Sequence, residues 1–349
     1  MPETRRFCNP FRIHLRNFRQ ALGLTLVVFA AIAGRASQDS FTDRTTVIVV
    51  VGAPGEAEFG NNFARQANIW EKACQQADCR RITLGLDASQ TNDFETLKQT
   101  LEAEPKDGAS DLWLVLIGHG TFDGKEARFN LRGPDVSATE LALWLQPFHR
   151  RLAIINTASC SAPFLNKLSG TNRVVITATR SGNEQSFARF GQYFCEAITN
   201  PQADLDKDQQ VSLLEAFLMA SRQAGEFYKG EGRLATEHAL LDDSGDGLGT
   251  PADWFRGLRA VKRPKDNAPV DGLLAQQFHL LPSPTEQKLS PDQRVRRDAL
   301  ERSINLHREK KERLTEDEYY RELETLLLEL GRFYESNSVT PAVPARDSK

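Results

Sequence analysis

Leu112-Trp113-Leu114-Val115-Leu116-Ile117-Gly118-His119-Gly120 and, further along, Leu152-Ala153-Ile154-Ile155-Asn156-Thr157-Ala158-Ser159-Cys160-Ser161 are the stretches whose reading decides the fold. Each is an unbroken apolar run that breaks abruptly into small and polar residues. Runs without alternation read as strands buried on both faces, the mark of a parallel sheet covered by helices. The C-terminal ends of such strands are where open α/β sheets carry their chemistry. If the two strands are neighbours, His119 and Cys160 emerge on adjacent loops. An imidazole beside a thiol lowers the thiol pKa and later protonates the leaving group. Taken singly, each residue has a structural reading, as a turn histidine or a small buried apolar cysteine.

Outward from this pair the chain alternates strand and helix, the sequence form of right-handed parallel crossovers. Thr46 to Val51 is a β-branched strand closed by Gly52-Ala53-Pro54-Gly55, with no Gly-Lys-Ser/Thr to make it a phosphate loop. A helix from about Asn62 carries Phe63, Ala67, Trp70 and Cys74, and Arg80 to Leu86 reads as a second strand. Asn92 and Glu95 cap a short helix, as do Ser137 and Glu140. Ala127 to Leu131 reads as a small β element near the site. Arg173 to Ala178 is a fifth strand, and Phe187, Phe190, Phe194 and Ile198 lie on a covering helix.

At these residues the sequence resembles the legumain and caspase clan of cysteine peptidases, most nearly its bacterial legumain-like members. In that pattern one apolar strand ends in His-Gly and a later one ends in the nucleophilic Cys. The separation from His119 to Cys160 is 41 residues. Thr177-Ala178-Thr179-Arg180-Ser181-Gly182-Asn183-Glu184-Gln185-Ser186-Phe187-Ala188 is similar to the legumain segment after the fifth strand. The resemblance implies a caspase-like three-layer α/β sandwich with a mainly parallel sheet. It also implies a catalytic pair of His119 and Cys160, with an oxyanion hole formed by the N–H groups of Gly120 and Cys160. It covers roughly residues 45 to 245. The chain departs from the legumain pattern where Ala64 and Ala158 replace a pocket arginine and glutamate, so the resemblance does not extend to Asn or Asp selectivity. Asn156 and Asp123 are both candidate orienters of the imidazole.

The chain has 349 residues, 40% hydrophobic and 26% charged, enough for one substantial core and a smaller unit. Arg5, Arg6, Arg12, Arg16 and Arg19 precede an apolar run from Ala21 to Ala33 and then Gly34-Arg35-Ala36, the order of a secretory signal over residues 1–36. The protein is therefore expected to be exported, periplasmic or secreted, and membrane-bound only if that segment is uncleaved. Loss of six arginines and Glu3 moves the formal charge from −3 to −8, a poor balance for nucleic acid. In an exported protein Cys74 and Cys79 have the spacing to pair across a helix end. The six histidines form no ligand-spaced pair, which argues against a zinc hydrolase.

Asp204, Asp206 and Asp208 with Glu215 follow the one-three-five-twelve spacing of a calcium loop, although Gln209 stands at position six where glycine makes the sharp turn. The alternative is a solvated acidic loop with Ser212 and Glu215 as a capping box. No cofactor is expected for catalysis, and Ca²⁺ is the one structural ion the sequence suggests. Residues 45–258 read as the peptidase-like domain, 259–289 as a proline-rich linker, 290–335 as a helical hairpin and 336–349 as a disordered tail. The hairpin is expected to dock through Leu326, Leu327 and Leu330. The leading functional reading is a cysteine-type endopeptidase acting on peptide or protein. The alternative is a catalytically inactive module of the same fold that binds an ion or a protein.

Overall fold

The computed structural model describes residues 44–87, 89, 91–263 and 269–337. Residues 1–36, expected to be an export signal, and the tail beyond Asn337 lie outside them. The main sheet takes β1 (Thr46–Val51), β2 (Arg80–Leu84) and β3 (Leu112–Ile117). A small antiparallel sheet of β4 (Gly120–Phe122), β5 (Ala127–Phe129) and β6 (Val136–Ser137) follows. The main sheet then resumes with β7 (Leu152–Asn156), β8 (Arg173–Thr177), β9 (Leu240–Asp242) and β10 (Thr250–Pro251). The order across it is β10-β9-β8-β7-β3-β1-β2; the five strands from β2 to β8 in that row run parallel, β9 runs antiparallel to β8, and β10 antiparallel to β9.

The two-residue period of the strands sorts the core into two layers. Val47, Val49, Trp113, Val115, Ala153, Ile155, Val174 and Ile176 point to one face. There they meet α1 (Ala57–Gln76) through Phe63 and Trp70. Ile48, Val50, Leu112, Leu114, Leu152, Ile154 and Val175 point to the other. That face is covered by Leu97 and Leu101 of α2 (Asp93–Ala103), Leu141 and Leu145 of α3 (Ala138–Leu145) and Phe164 of α4 (Ala162–Leu168). Phe190 and Phe194 of α5 (Phe190–Ala197) and Phe217 of α6 (Leu213–Gly230) complete the first layer. Helices therefore lie on both faces of a mainly parallel sheet, the three-layer α/β arrangement expected.

From β1 the chain steps outward to β2 and then returns across β1 to β3, so the direction of winding reverses between β1 and β3. Pro54 and His119 lie just past the C-terminal ends of these two strands, at the switch point where open α/β sheets carry their sites.

The described residues 269–289 are not the free linker that the prolines of 259–289 suggest. After a short hairpin of β11 (Phe255–Arg256) and β12 (Arg259–Ala260), Ala275, Phe278 and Leu280 enter the first core layer. Trp113 packs edge-on to Phe278 with ring centroids 6.2 Å apart, and the N–H of Leu213 donates to the Phe278 carbonyl. The prolines break the helix pattern without removing the apolar side chains that bind this strap down. Two aspartates fasten its start. Asp271 accepts from the N–H groups of Asp243 and Ser244, and Asp243 accepts from those of Gly272 and Ala275.

The hairpin of α7 (Pro291–Arg308) and α8 (Glu316–Asn337) follows, so residues 336 and 337 belong to a helix and not to the tail. It docks differently from the leucine stripe expected. Arg297 pairs with Glu286 and Asp298, and Arg151, just before β7, pairs with Asp298 at 3.1 Å. Leu327 and Leu328 stay exposed, because α8 leans on α7 through Tyr319 and Phe333 and not on the sheet. Among the described residues no helix is long and apolar enough to cross a membrane.

The Asp243–Asp271 clasp has a pH signature. Loss of water and mutual repulsion push Asp243 up to about 7, and loss of water pushes Asp271 up to about 6. Folded-state values above the unfolded ~3.9 mean that the native state holds extra protons. The associated stability is present below about pH 4 and is lost as pH rises toward about 7. Asp243→Asn is expected to melt progressively higher, relative to wild type, as pH rises through this window. Parallel melting profiles for the two proteins would remove the clasp from the pH response.

Candidate active site

Register places the two chemical loops side by side. β3 and β7 pair with Leu116 opposite Asn156, and His119 and Cys160 follow these two ends by three and four residues. The loops touch through Gly120, where an added Cβ would sit 2.2 Å from the Ser159 carbonyl oxygen. Ser159 Oγ lies 3.3 Å from the Gly120 N–H and 3.1 Å from the Gly120 carbonyl, accepting from one and donating to the other. Only glycine allows this approach.

His119 is oriented by a backbone atom. Its Nε2 lies 3.2 Å from the carbonyl of Pro54, just beyond β1. A carbonyl only accepts, so Nε2 carries the proton and Nδ1 is left as the basic nitrogen. Phe59, Phe63 and Phe187 surround the ring, with centroids 4.7, 5.1 and 6.1 Å from that of the imidazole. The side-chain orienters expected for this role are occupied elsewhere. Asp123 pairs with Arg128 at 3.0 Å, and Asn156 Oδ1 accepts from the N–H of Ala158.

A backbone carbonyl leaves no sequence signal, since Pro54-Gly55 reads only as a turn. Phe59 was hidden by the late helix start, because α1 begins five residues before Asn62 and places Phe59 one turn ahead of Phe63. Phe187 lies before α5 rather than on it, and packs on the imidazole at the edge of the first core layer.

Cys160 adopts a left-handed φ of 55° just before α4 and is 1% exposed. Burial pushes its thiol pKa up, and a hydrogen bond with Ser159 offsets part of the rise. The activated, low-pKa thiol expected from the pairing with His119 is therefore not the state of this conformation.

The two N–H groups assigned to an oxyanion hole are also engaged. That of Cys160 donates to the carbonyl of Glu184 at 2.9 Å, and that of Gly120 to Ser159 Oγ. Glu184 is itself pinned. Its carboxylate accepts from His238 Nδ1 at 2.6 Å and from the N–H groups of Arg180 and His238, and it lies 3.3 Å from the Arg180 guanidinium. Glu184 and His238 are 54 residues apart, so nothing local in the sequence marks the contact.

The acidic loop gathers three of its four expected ligands. Carboxylate oxygens of Asp204, Asp206 and Asp208 lie within 4.8 Å of one another. Glu215 is not among them. Its two oxygens accept from the N–H of Leu205 and from the N–H and hydroxyl of Ser212, so it closes the capping box at the start of α6. Gln209 holds φ at 72°, the left-handed turn in which glycine is the unstrained residue.

No family model and no curated protein matches the chain. Among solved structures it is similar to the Drosophila initiator caspase Dronc, at 14% identity over 60% of this chain and 82% of that one, with a TM-score of 0.39. It is also similar to caspase-1 from Spodoptera frugiperda, at 10% identity over 58% of this chain and 87% of that one, with a TM-score of 0.37.

Proposed function

We propose that the chain is an exported cysteine-type endopeptidase of caspase-like fold, acting on peptide or protein substrates through Cys160 and His119. One observation carries this reading: an imidazole held through Nε2 by the Pro54 carbonyl, with its basic nitrogen spare, on the strand end next to the one that bears a cysteine. His119 Nδ1 takes the thiol proton as Cys160 Sγ attacks the peptide carbonyl. It then gives that proton to the departing amine, leaving a thioester that water hydrolyses with the same nitrogen as base. The developing oxyanion takes the N–H of Cys160 and that of Gly120, which requires the Glu184 carbonyl and Ser159 Oγ to withdraw. Ala64 and Ala158 offer no charged pocket for Asn. Active-site titration with a thiol-directed peptide probe, followed by a peptide library, tests the reading. Labelling of Cys160 with cleavage and no preference for Asn is the expected result.

The buried thiol and the two satisfied N–H groups favour a second reading, a module that keeps the fold without the chemistry.

The acidic loop is read as a weak Ca²⁺ site through Asp204, Asp206 and Asp208. Burial and the neighbouring Asp208 and Glu215 push Asp206 up to about 6, so a cation would relieve a real repulsion. Calcium is expected to raise the melting temperature of wild type, and to raise it further in Gln209→Gly, where the turn is unstrained. Identical curves with calcium and with chelator, for both proteins, would reduce the loop to a solvated turn.

A further inference from the structure

The C-terminal end of α1 joins two thiols by a backbone device. The helix stops at Gln76, Ala77 caps it, and Asp78 turns to a left-handed φ of 48°. The N–H of Cys79 then reaches back to the carbonyl of Cys74 at 3.1 Å, and that of Asp78 to the carbonyl of Gln75 at 3.5 Å. A six-to-one bond enclosing a five-to-two bond is the Schellman arrangement, which brings the side chains of its first and last residues together. In most helices that contact is apolar. Here both residues are cysteines, and Cys79 packs against the core cluster that contains Cys74. Cys74 is buried, whereas Cys79 keeps partial access to solvent. Each thiol acts on the other, so that the pKa of Cys74 rises and that of Cys79 falls. Arg81, paired with Glu71 at 2.7 Å, adds a nearby positive charge.

We propose that Cys74 and Cys79 are a redox-active dithiol, a site of reversible disulfide formation in which Cys79 attacks a disulfide co-reactant and Cys74 resolves the adduct. The Cys79 thiolate displaces one thiolate from the co-reactant, which takes up a proton, and a mixed disulfide forms. The Cys74 thiol then gives up its proton to water, and the Cys74 thiolate attacks Cys79 Sγ and expels the second thiol. Two protein thiols and one disulfide become one protein disulfide and two thiols. The product locks the end of α1 to the start of β2. It is independent of whether Cys160 does chemistry.

The test equilibrates the full chain with oxidised glutathione, quenches with acid, alkylates the remaining thiols with N-ethylmaleimide and maps the peptides by mass spectrometry. Cys74 and Cys79 should be recovered linked, lighter by two hydrogens, while Cys160 and Cys195 are recovered alkylated. In Cys74→Ser the reaction should stop at a glutathione adduct on Cys79. In Cys79→Ser, Cys74 should stay unmodified. The oxidised wild type should melt a few degrees above the reduced protein, a difference that either variant removes. Recovery of Cys74 and Cys79 both alkylated in excess oxidised glutathione, linkages scattered over all cysteines, or an unmodified Cys79 in Cys74→Ser would each overturn the pairing.

Discussion

Cys160→Ala should abolish labelling by a thiol-directed peptide probe and lower hydrolysis of any responsive peptide on the order of 10³-fold or more, as loss of a nucleophile does. In the described structure, Cys160 is the thiol beside the His119 loop. The sulfur carries the acyl group in the proposed mechanism, so no neighbouring group can take its place. His119→Ala leaves the sulfur and removes the base, and should slow labelling without ending it. Because the two act as a unit, the double variant should be no worse than Cys160→Ala. The thiol pKa is raised by burial, so the wild-type alkylation rate should climb into the alkaline range instead of levelling off near neutrality. A pH series of iodoacetamide labelling read by mass spectrometry is run on wild type and both single variants, and peptide hydrolysis is measured on these and the double variant. Hydrolysis that survives in Cys160→Ala would move the chemistry elsewhere.

The layers were legible because they depend on runs and periods that the chain displays openly. Val-Ile-Val-Val-Val and Leu-Trp-Leu-Val-Leu-Ile cannot be covered on one side only, and the capping pairs Asn92–Glu95, Ser137–Glu140 and Ser212–Glu215 mark helix starts by a local hydrogen bond. The pairing of the His119 and Cys160 loops followed from the same strand ends. What stayed hidden depends on tertiary partners. The Pro54 carbonyl has no side chain to announce it, and Glu184 meets His238 across 54 residues. Glu215 shows the opposite failure. Two local patterns, a calcium loop and a capping box, claimed the same carboxylate, and the structure gives it to the box. The prolines of 259–289 likewise signalled where helices stop, and said nothing about Phe278 and Leu280 being buried between them.

Releasing Glu184 should expose Cys160. Its carbonyl holds the Cys160 N–H, and its carboxylate is fixed by His238 and by Arg180, so the side chain decides whether the carbonyl stays in place. A hydrogen bond to a charged group is worth roughly 1.5–3 kcal/mol, and the partial exposure of His238 argues for the lower end, which corresponds to about tenfold in an opening equilibrium. His238→Ala and Glu184→Gln are therefore expected to speed iodoacetamide labelling of Cys160 about tenfold at fixed pH. Cys195 is fully buried, and burial raises its thiol strongly, so it serves as an internal control: its labelling should not change unless the variant unfolds. Faster labelling of Cys160 together with new peptide hydrolysis would make the segment after β8 a gate on an active peptidase. Faster labelling without hydrolysis would keep the gate and favour the binding module. Unchanged labelling in both variants would mean that the Glu184 carbonyl does not control access to the thiol.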